Sequence, residues 1–281
     1  MKILIALSST KNNTEVLTFS SMIAQQGNQL TLLIVVKNEK IKNSSEVEDT
    51  LAEARLKLGH LGLKTNIRVG DFCDQINREI ETGNHDLLII KEKTTSYFDR
   101  RIHRFPSVHV AEHVPCSVII FKGDAKPIQK ILLCDSGAGN SSYLNDFTAK
   151  LTDHLPGEEK VTVLHVMSQI SAGPGISGED LRASTEELIK EKSLEGLIVD
   201  KDVHNLEHHG IESVPKIRHG FVVEEILAEA QSGNYELVII GAHTAEHLQR
   251  FILENIAKQI MKRINKPVLV VRDKEDLDHT V

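Results

Sequence analysis

Four short segments carry side chains able to bind a ligand: Asp135 to Asn140, Val166 to Ser168, Gly241 to Thr244, and Glu254-Asn255-Ile256. Each lies where an apolar run gives way to a polar loop, or where such a loop enters a helix. A carboxylate at a strand end can accept hydrogen bonds from sugar hydroxyls. Glycines and small hydroxyls at a loop–helix junction leave backbone N–H groups free for an anion. Asp135 closes the run ILLCD and reads equally as a ligand contact or as a strand-end cap. His165, inside VTVLHV, reads as a packed, hydrogen-bonded histidine rather than a base. His204, Glu207, His208 and His209 resemble a metal cluster only loosely, since a closed site needs a defined ligand number and geometry, and a solvated loop is expected there. SAGPGISG is glycine-rich but lacks the lysine of a P-loop and reads as a surface loop. No Ser-His-Asp or Cys-His spacing is legible, so no catalytic residue and no metal ligand is assigned.

The elements that must hold these segments occur twice. Tyr235 to Arg272 reads as strand, loop, helix, strand, and His85 to Phe121 is a shorter, chemically altered copy. In each, a proline opens the final apolar run, Pro115 before CSVII and Pro267 before VLVV, where its missing donor costs nothing. The runs at 2–7, 30–36, 87–90 and 118–121 are continuously apolar, as strands buried on both faces are. They recur at 131–135, 161–166, 237–240 and 268–271, with weaker third strands at 65–69 and 213–217. Between them, helical spacing appears around Val16 to Ala24, Val47 to Leu58, Ile76 to Gly83 and Val108 to His113. It returns around Leu144 to Leu151, from about Glu179 to Ile189, at Phe221 to Ala230 and at Phe251 to Ile264, while 202–220 reads as polar chain around one short strand. The pattern restarts after the connector Lys122 to Pro127. Two domains are therefore expected, 1–127 and 128–281. Each is an α/β doubly wound unit with a mainly five-stranded parallel sheet and helices on both faces.

At 281 residues the chain can bury two ordinary cores. With only 4% aromatic residues and no tryptophan, those cores must be aliphatic. A net charge of -7 argues against broad nucleic-acid binding, which needs a basic surface. No apolar run is long enough to span a bilayer, and Met1-Lys2 leads directly into a strand, so no membrane segment or leader is expected. Cys73, Cys116 and Cys134 are an odd number in dissimilar contexts, which suggests reduced thiols in a cytoplasmic protein.

On these residues the chain resembles the universal stress protein (UspA) family in its tandem form. In the family's nucleotide-binding members the first strand ends in Asp. The fourth opens a loop of the form G-x2-G-x9-G-(S/T), and the last helix leads to a PVLVV strand. The resemblance implies an adenine nucleotide alpha hydrolase-like fold that binds ATP in its cleft and is a poor catalyst. Carried onto the second half, it makes Asp135 the ribose contact and Val166 a boundary of the adenine pocket. Ile240 precedes Gly241, which holds the first glycine position, and His243 stands where a histidine is frequent. Thr244 replaces the second glycine, Glu254 the third, and Asn255, followed by Ile256, the Ser/Thr. Thr244 adds bulk and Glu254 a carboxylate where phosphates would pass, so ATP would need Mg²⁺ to offset Glu254.

In the first half Ser8 stands where the Asp belongs, Lys91 and Thr94 replace the glycines, and the last positions fall near Ile102-His103. No family-type site is expected there. The cluster Arg100, Arg101, His103 and Arg104 reads as solvated or salt-linked surface, with an anion site as the other reading. The implied function is a noncatalytic stress-response or regulatory module with adenine-nucleotide binding in the second domain. The alternative is an ATP-binding protein with slow Mg-dependent hydrolysis, or a related small-molecule nucleotide enzyme. The family's dimers further imply an intramolecular pseudo-dimer through the final strands, Val118 to Phe121 and Val268 to Val271, and association of two tandem chains as a homodimer.

Overall fold

The apolar runs become parallel strands whose side chains are covered on both faces. In a computed structural model, residues 1–8, 12–92, 106–137, 142–168, 183–242 and 248–272 are described, except for the side chains of 106, 168 and 248–254. The chain divides into two units, Met1–Pro127 and Ile128–Val281. The first contains β1 (Lys2–Leu7), α1 (Thr14–Ile23), β2 (Gln29–Val36), α2 (Glu39–Lys42), α3 (Ser45–Leu58), β3 (Lys64–Val69), α4 (Phe72–Gly83), β4 (Leu87–Lys91), α5 (Pro106–His113) and β5 (Ser117–Phe121). The second contains β6 (Lys130–Asp135), α6 (Ser142–Thr152), β7 (Lys160–Ser168), α7 (Thr185–Lys190), α8 (Leu194–His208), β8 (Glu212–Gly220), α9 (Val222–Ser232), β9 (Leu237–Gly241), α10 (Leu248–Arg263) and β10 (Val268–Val271).

Strand order is β3-β2-β1-β4-β5 in the first unit and β8-β7-β6-β9-β10 in the second, and the strands within each unit pair in parallel. Each unit therefore reverses its winding between its first and fourth strands, at β1/β4 and at β6/β9. An open α/β sheet forms its ligand crevice at that point. Ile3, Leu4, Ile5, Leu88 and Ile89 are fully buried, as are Ile131, Leu132, Leu133, Val238 and Ile239. The scarce aromatics are used sparingly: Phe19 of α1 and Phe121 of β5 meet with ring centroids 4.9 Å apart.

Two segments differ from the sequence reading. Within 202–220, which reads as polar chain, the expected short strand is β8, while residues 202–208 are the second half of α8, a 15-residue helix. Its apolar stripe is interrupted by Asp202, which is buried and accepts a hydrogen bond from the Asn145 amide at 2.7 Å. His204 and His208 thus lie on a helix, not in a solvated loop, with ring nitrogens 3.0 Å apart. The helix expected from about Glu179 begins, among the described residues, at Thr185, with a capping box between Ser184 and Glu187. Ser193 then caps α8 through the Gly196 N–H at 3.0 Å. Gly196 allows α7 and α8 to approach closely, because a Cβ there would stand 2.3 Å from the Leu188 carbonyl oxygen. SAGPGISG, and the basic cluster Arg100 to Arg104 with Thr94, Ile102 and His103, lie outside the described residues.

The internal repeat extends to buried polar chemistry. In the second unit Glu229 of α9, 1% exposed, accepts from Lys216 at 2.9 Å, Arg218 at 2.9 Å and the Tyr235 hydroxyl at 2.8 Å. At the matching positions of the first unit, Glu79 of α4 accepts from Asn66 at 2.8 Å and from Arg68. His85 takes the place of Tyr235, and neither of its ring nitrogens has a hydrogen-bond partner among the described residues. Burial pushes the His85 imidazolium pKa below its ordinary value, against the attraction of Glu79. A depressed histidine means that the unfolded chain takes up the proton first. The stability tied to His85 is therefore complete above about pH 6.5 and erodes as the pH falls below it. Urea unfolding between pH 7.5 and 5 should show this loss. His85→Tyr, which copies the second unit, should reduce it and add about 1 kcal/mol at neutral pH. An unchanged pH slope in the variant would show that His85 is not the group responsible.

Candidate functional site

In the second unit a cleft of about 870 Å³ opens at the switch point, at the carboxyl ends of β6, β7 and β9. Its floor is the end of β6, where Cys134, Asp135, Ser136 and Gly137 follow one another. Leu164 to Met167 of β7, Leu194, Glu195 and Ile198 of α8, and Ile256, Ala257, Gln259 and Ile260 of α10 form its walls. Asp135 is only 3% exposed, and neither carboxylate oxygen has a hydrogen-bond partner among the described residues. Stranding a carboxylate in this way costs about 1–3 kcal/mol, which a fold tolerates where a ligand later supplies the donors.

The neighbour of Asp135 on β7 is His165. Its Nδ1–H donates to the Asp135 main-chain carbonyl at 3.0 Å. Burial lowers the His165 pKa, and the hydrogen bond to Asp135 opposes this only in part. The ring is therefore neutral at pH 7. Its hydrogen-bonded tautomer leaves Nε2 as an acceptor, which is the packed role expected from the sequence. Cys134 beside it is inert: burial, reinforced by Asp135, pushes its thiol pKa far up. Gly137 adopts φ +69°, and a Cβ there would stand 2.5 Å from Ile198 Cδ1, so a side chain at this turn out of β6 would be strained and would push Ile198 of α8 aside.

Of the site residues expected from the sequence, Asp135, Val166, Ile240, Gly241 and Ile256 line this one cleft. Asn255 is exposed and does not line it. His243 and Thr244 lie outside the described residues, and Glu254 belongs to α10 with its side chain not described. The sequence reading missed the contribution of α8 and of the β8–α9 corner. Leu194 and Phe221 stand 71% and 66% exposed at the cleft, the solvent exposure of an apolar lip. The apolar spacing of Leu194, Leu197 and Ile198 behind the capping Ser193 was the available signal. No lysine or arginine lines the cleft among the described residues, whereas Asp135, Glu195 and Glu224 do. Glu224 is already paired with Arg263, at 2.6 and 2.7 Å.

The first unit holds no counterpart of this chemistry among its described residues. Strand register corrects the sequence reading here. Ile3 pairs with Leu87 as Ile131 pairs with Leu237, so Leu7, not Ser8, stands at the position of Asp135. Ile34, the β2 neighbour of Leu7, stands at that of His165. Both are buried hydrocarbons. Lys91, at the position of Gly241, donates from Nζ to the main-chain oxygen of Asn12 in the β1–α1 connection.

The profile of the Universal stress protein family matches residues 127–272. The chain is 29% identical over 131 residues to the universal stress protein MJ0577 of Methanocaldococcus jannaschii, an alignment covering 41% of this chain and 78% of that protein. A universal stress protein of Archaeoglobus fulgidus has a similar fold, with a TM-score of 0.65 at 17% identity over 98% of this chain and 97% of that one. So does a protein of unknown function from Pseudomonas aeruginosa, with a TM-score of 0.66 at 15% identity over 99% of this chain and 94% of that one. No helix among the described residues is long and apolar enough to cross a membrane. With a family match over more than half its length, a parallel five-stranded α/β unit in each half, and a crevice at the switch point, the chain belongs to the universal stress protein family.

Proposed function

We propose that the chain is a noncatalytic stress-response or regulatory module whose second unit binds an adenine nucleotide. The observation that carries this reading is Asp135, a buried carboxylate without hydrogen-bond partners among the described residues, at the floor of a cleft at the sheet's switch point. In this role Asp135 accepts the ribose hydroxyls. Val166, Ile240 and Ile256 supply apolar wall for the base, and Gly241 gives backbone access where the phosphate chain leaves. The neutral His165 holds the Asp135 backbone in place and serves no proton transfer. Nothing in the described lining pairs an activated nucleophile with a base, which favours a binding role over a hydrolytic one. The same proposal places the protein in the cytoplasm, since none of its three cysteines is in a disulfide.

The phosphate end decides which nucleotide is held. Glu195 lines the cleft, and Glu254 occupies the position of the family's third glycine. Both oppose bare phosphate, so ATP is expected to bind more tightly with Mg²⁺ than without it. Calorimetric titration of the full chain with ATP, with and without Mg²⁺, and with AMP tests this. Saturable binding that Mg²⁺ strengthens is the expected result, and no heat at millimolar nucleotide sinks the binding role. Phosphate release that tracks the bound fraction would instead favour slow Mg-dependent hydrolysis.

A further inference from the structure

The first unit, whose strand ends carry Leu7 and Ile34 in place of Asp135 and His165, has a cluster of a different kind on its last helix. His109, Glu112 and His113 of α5 each offer a ligand atom, and these atoms lie within 4.8 Å of one another. We propose that the three residues form a binding site for a divalent transition-metal ion of the zinc class.

The helix itself sets the arrangement. Positions separated by three and four residues share one face. On α5 the opposite face is fixed by Val108, Val110 and Ala111, all buried. His109 and Glu112 are consequently half-buried and His113 exposed, at the boundary between core and solvent. The two imidazoles already meet, with ring centroids 4.2 Å apart. His113 is also held in one tautomer. Its Nδ1 lies 2.8 Å from the His109 main-chain carbonyl oxygen, which can only accept, so the proton sits on Nδ1. Nε2 then keeps its lone pair for a metal. A backbone carbonyl that fixes the second ring nitrogen in this way is the usual support of a metal-ligating histidine.

Two imidazoles and one carboxylate match the donor set of open zinc sites, in which water completes the shell. Tetrahedral bonds of about 2.0–2.1 Å place ligand atoms about 3.4 Å apart, so the trio closes by small rotations of side chains that border solvent. The cluster on α8 provides a comparison within the same chain. His204 and His208 approach to 3.0 Å there, yet no third ligand comes within range among the described residues. A metal bridging His109 and His113 spans one turn of an eight-residue helix and stabilises its folded form in proportion to occupancy. The folding of the first unit thereby becomes sensitive to the free metal concentration.

The test is titration of the full chain with Zn²⁺ alone at about pH 7.5, where histidine is mostly neutral, followed by calorimetry and by thermal unfolding. His113→Ala, His109→Ala and Glu112→Gln are compared with the double variant His204→Ala/His208→Ala. The expected result is a saturable event that is weakened at least about tenfold by His113→Ala and by His109→Ala, and that is kept in the double variant. Zinc should raise the unfolding temperature of the natural chain and not that of His113→Ala. Because His113 is exposed, its replacement leaves the packing of α5 intact and carries the test even if His109→Ala unfolds. Absence of saturable binding, binding that survives His113→Ala, or binding that is lost in the double variant overturns the proposal.

Discussion

Glu229→Ala is expected to remove about 3 kcal/mol of folding stability from the second unit. The carboxylate is 1% exposed and holds three donors from two places: Lys216 and Arg218 on β8, and Tyr235 at the entry to β9. Burial alone would raise the Glu229 pKa, but the hydrogen bonds from Lys216, Tyr235 and Arg218 outweigh it and hold the carboxyl below its usual value. Removing it leaves Lys216 and Arg218, neighbours on one face of β8, without their shared carboxylate, Arg218 with Glu225 alone, and a buried phenol without an acceptor. The cations are 42% and 30% exposed and can turn toward water, which keeps the cost at the lower end of the range for a broken buried pair.

Glu229→Gln keeps an acceptor and should lose about half as much. Glu79→Ala in the first unit should lose about 2 kcal/mol, since its donors are one amide and one guanidinium. The pH dependence follows from the depressed carboxyl. Its contribution is present above the ordinary carboxylate range, near pH 4.3, and is lost as the pH falls through the lower folded value. Urea unfolding of the three variants measures the series. Losses under about 0.5 kcal/mol for both alanine variants would mean that the network is incidental.

Asp135→Ala is expected to do the opposite to the fold and to weaken the site. If Asp135 waits for a ligand, removing its stranded carboxylate leaves stability unchanged or raises it by up to about 2 kcal/mol. The same change removes a charged acceptor from the ribose and should weaken adenine-nucleotide binding by roughly tenfold to a hundredfold. Thermal unfolding without ligand and calorimetry with it separate two readings that the sequence left level. A strand-end cap would lose stability on truncation. A fall of more than about 1 kcal/mol without any change in binding would therefore assign Asp135 to the fold rather than to a site. Leu7 shows the hydrocarbon alternative already in use, because the first unit carries it at the same register position.

The strands were legible from composition along the chain. A parallel strand covered on both faces must be apolar at nearly every position, and KILIAL, LTLLIVV and VLVV satisfy that without reference to distant residues. The proline before each final strand and the glycine or asparagine after most helices are equally local. So is Gly241, because the family spacing from strand to loop lies in one continuous segment. These features determined the repeat, the α/β class and half of the cleft wall.

The tertiary structure decided the rest, wherever an effect depends on residues far apart in the chain. The helical periodicity of α8 was hidden by Asp202, whose burial makes sense only once Asn145, 57 positions away, is placed against it. The counterpart of Asp135 shifted from Ser8 to Leu7 because strand register, fixed by pairing with β4 and β9, sets the alignment of the two halves. Likewise His109, Glu112 and His113 were three unremarked letters until the burial of Val108, Val110 and Ala111 turned them onto one outward face. Local sequence was enough to mark the strands and most helices, though not α8, because each such pattern carries its own burial requirement. Which polar groups are stranded, paired or gathered depended on the packing of distant elements, because desolvation and hydrogen bonding act between segments that the chain keeps apart.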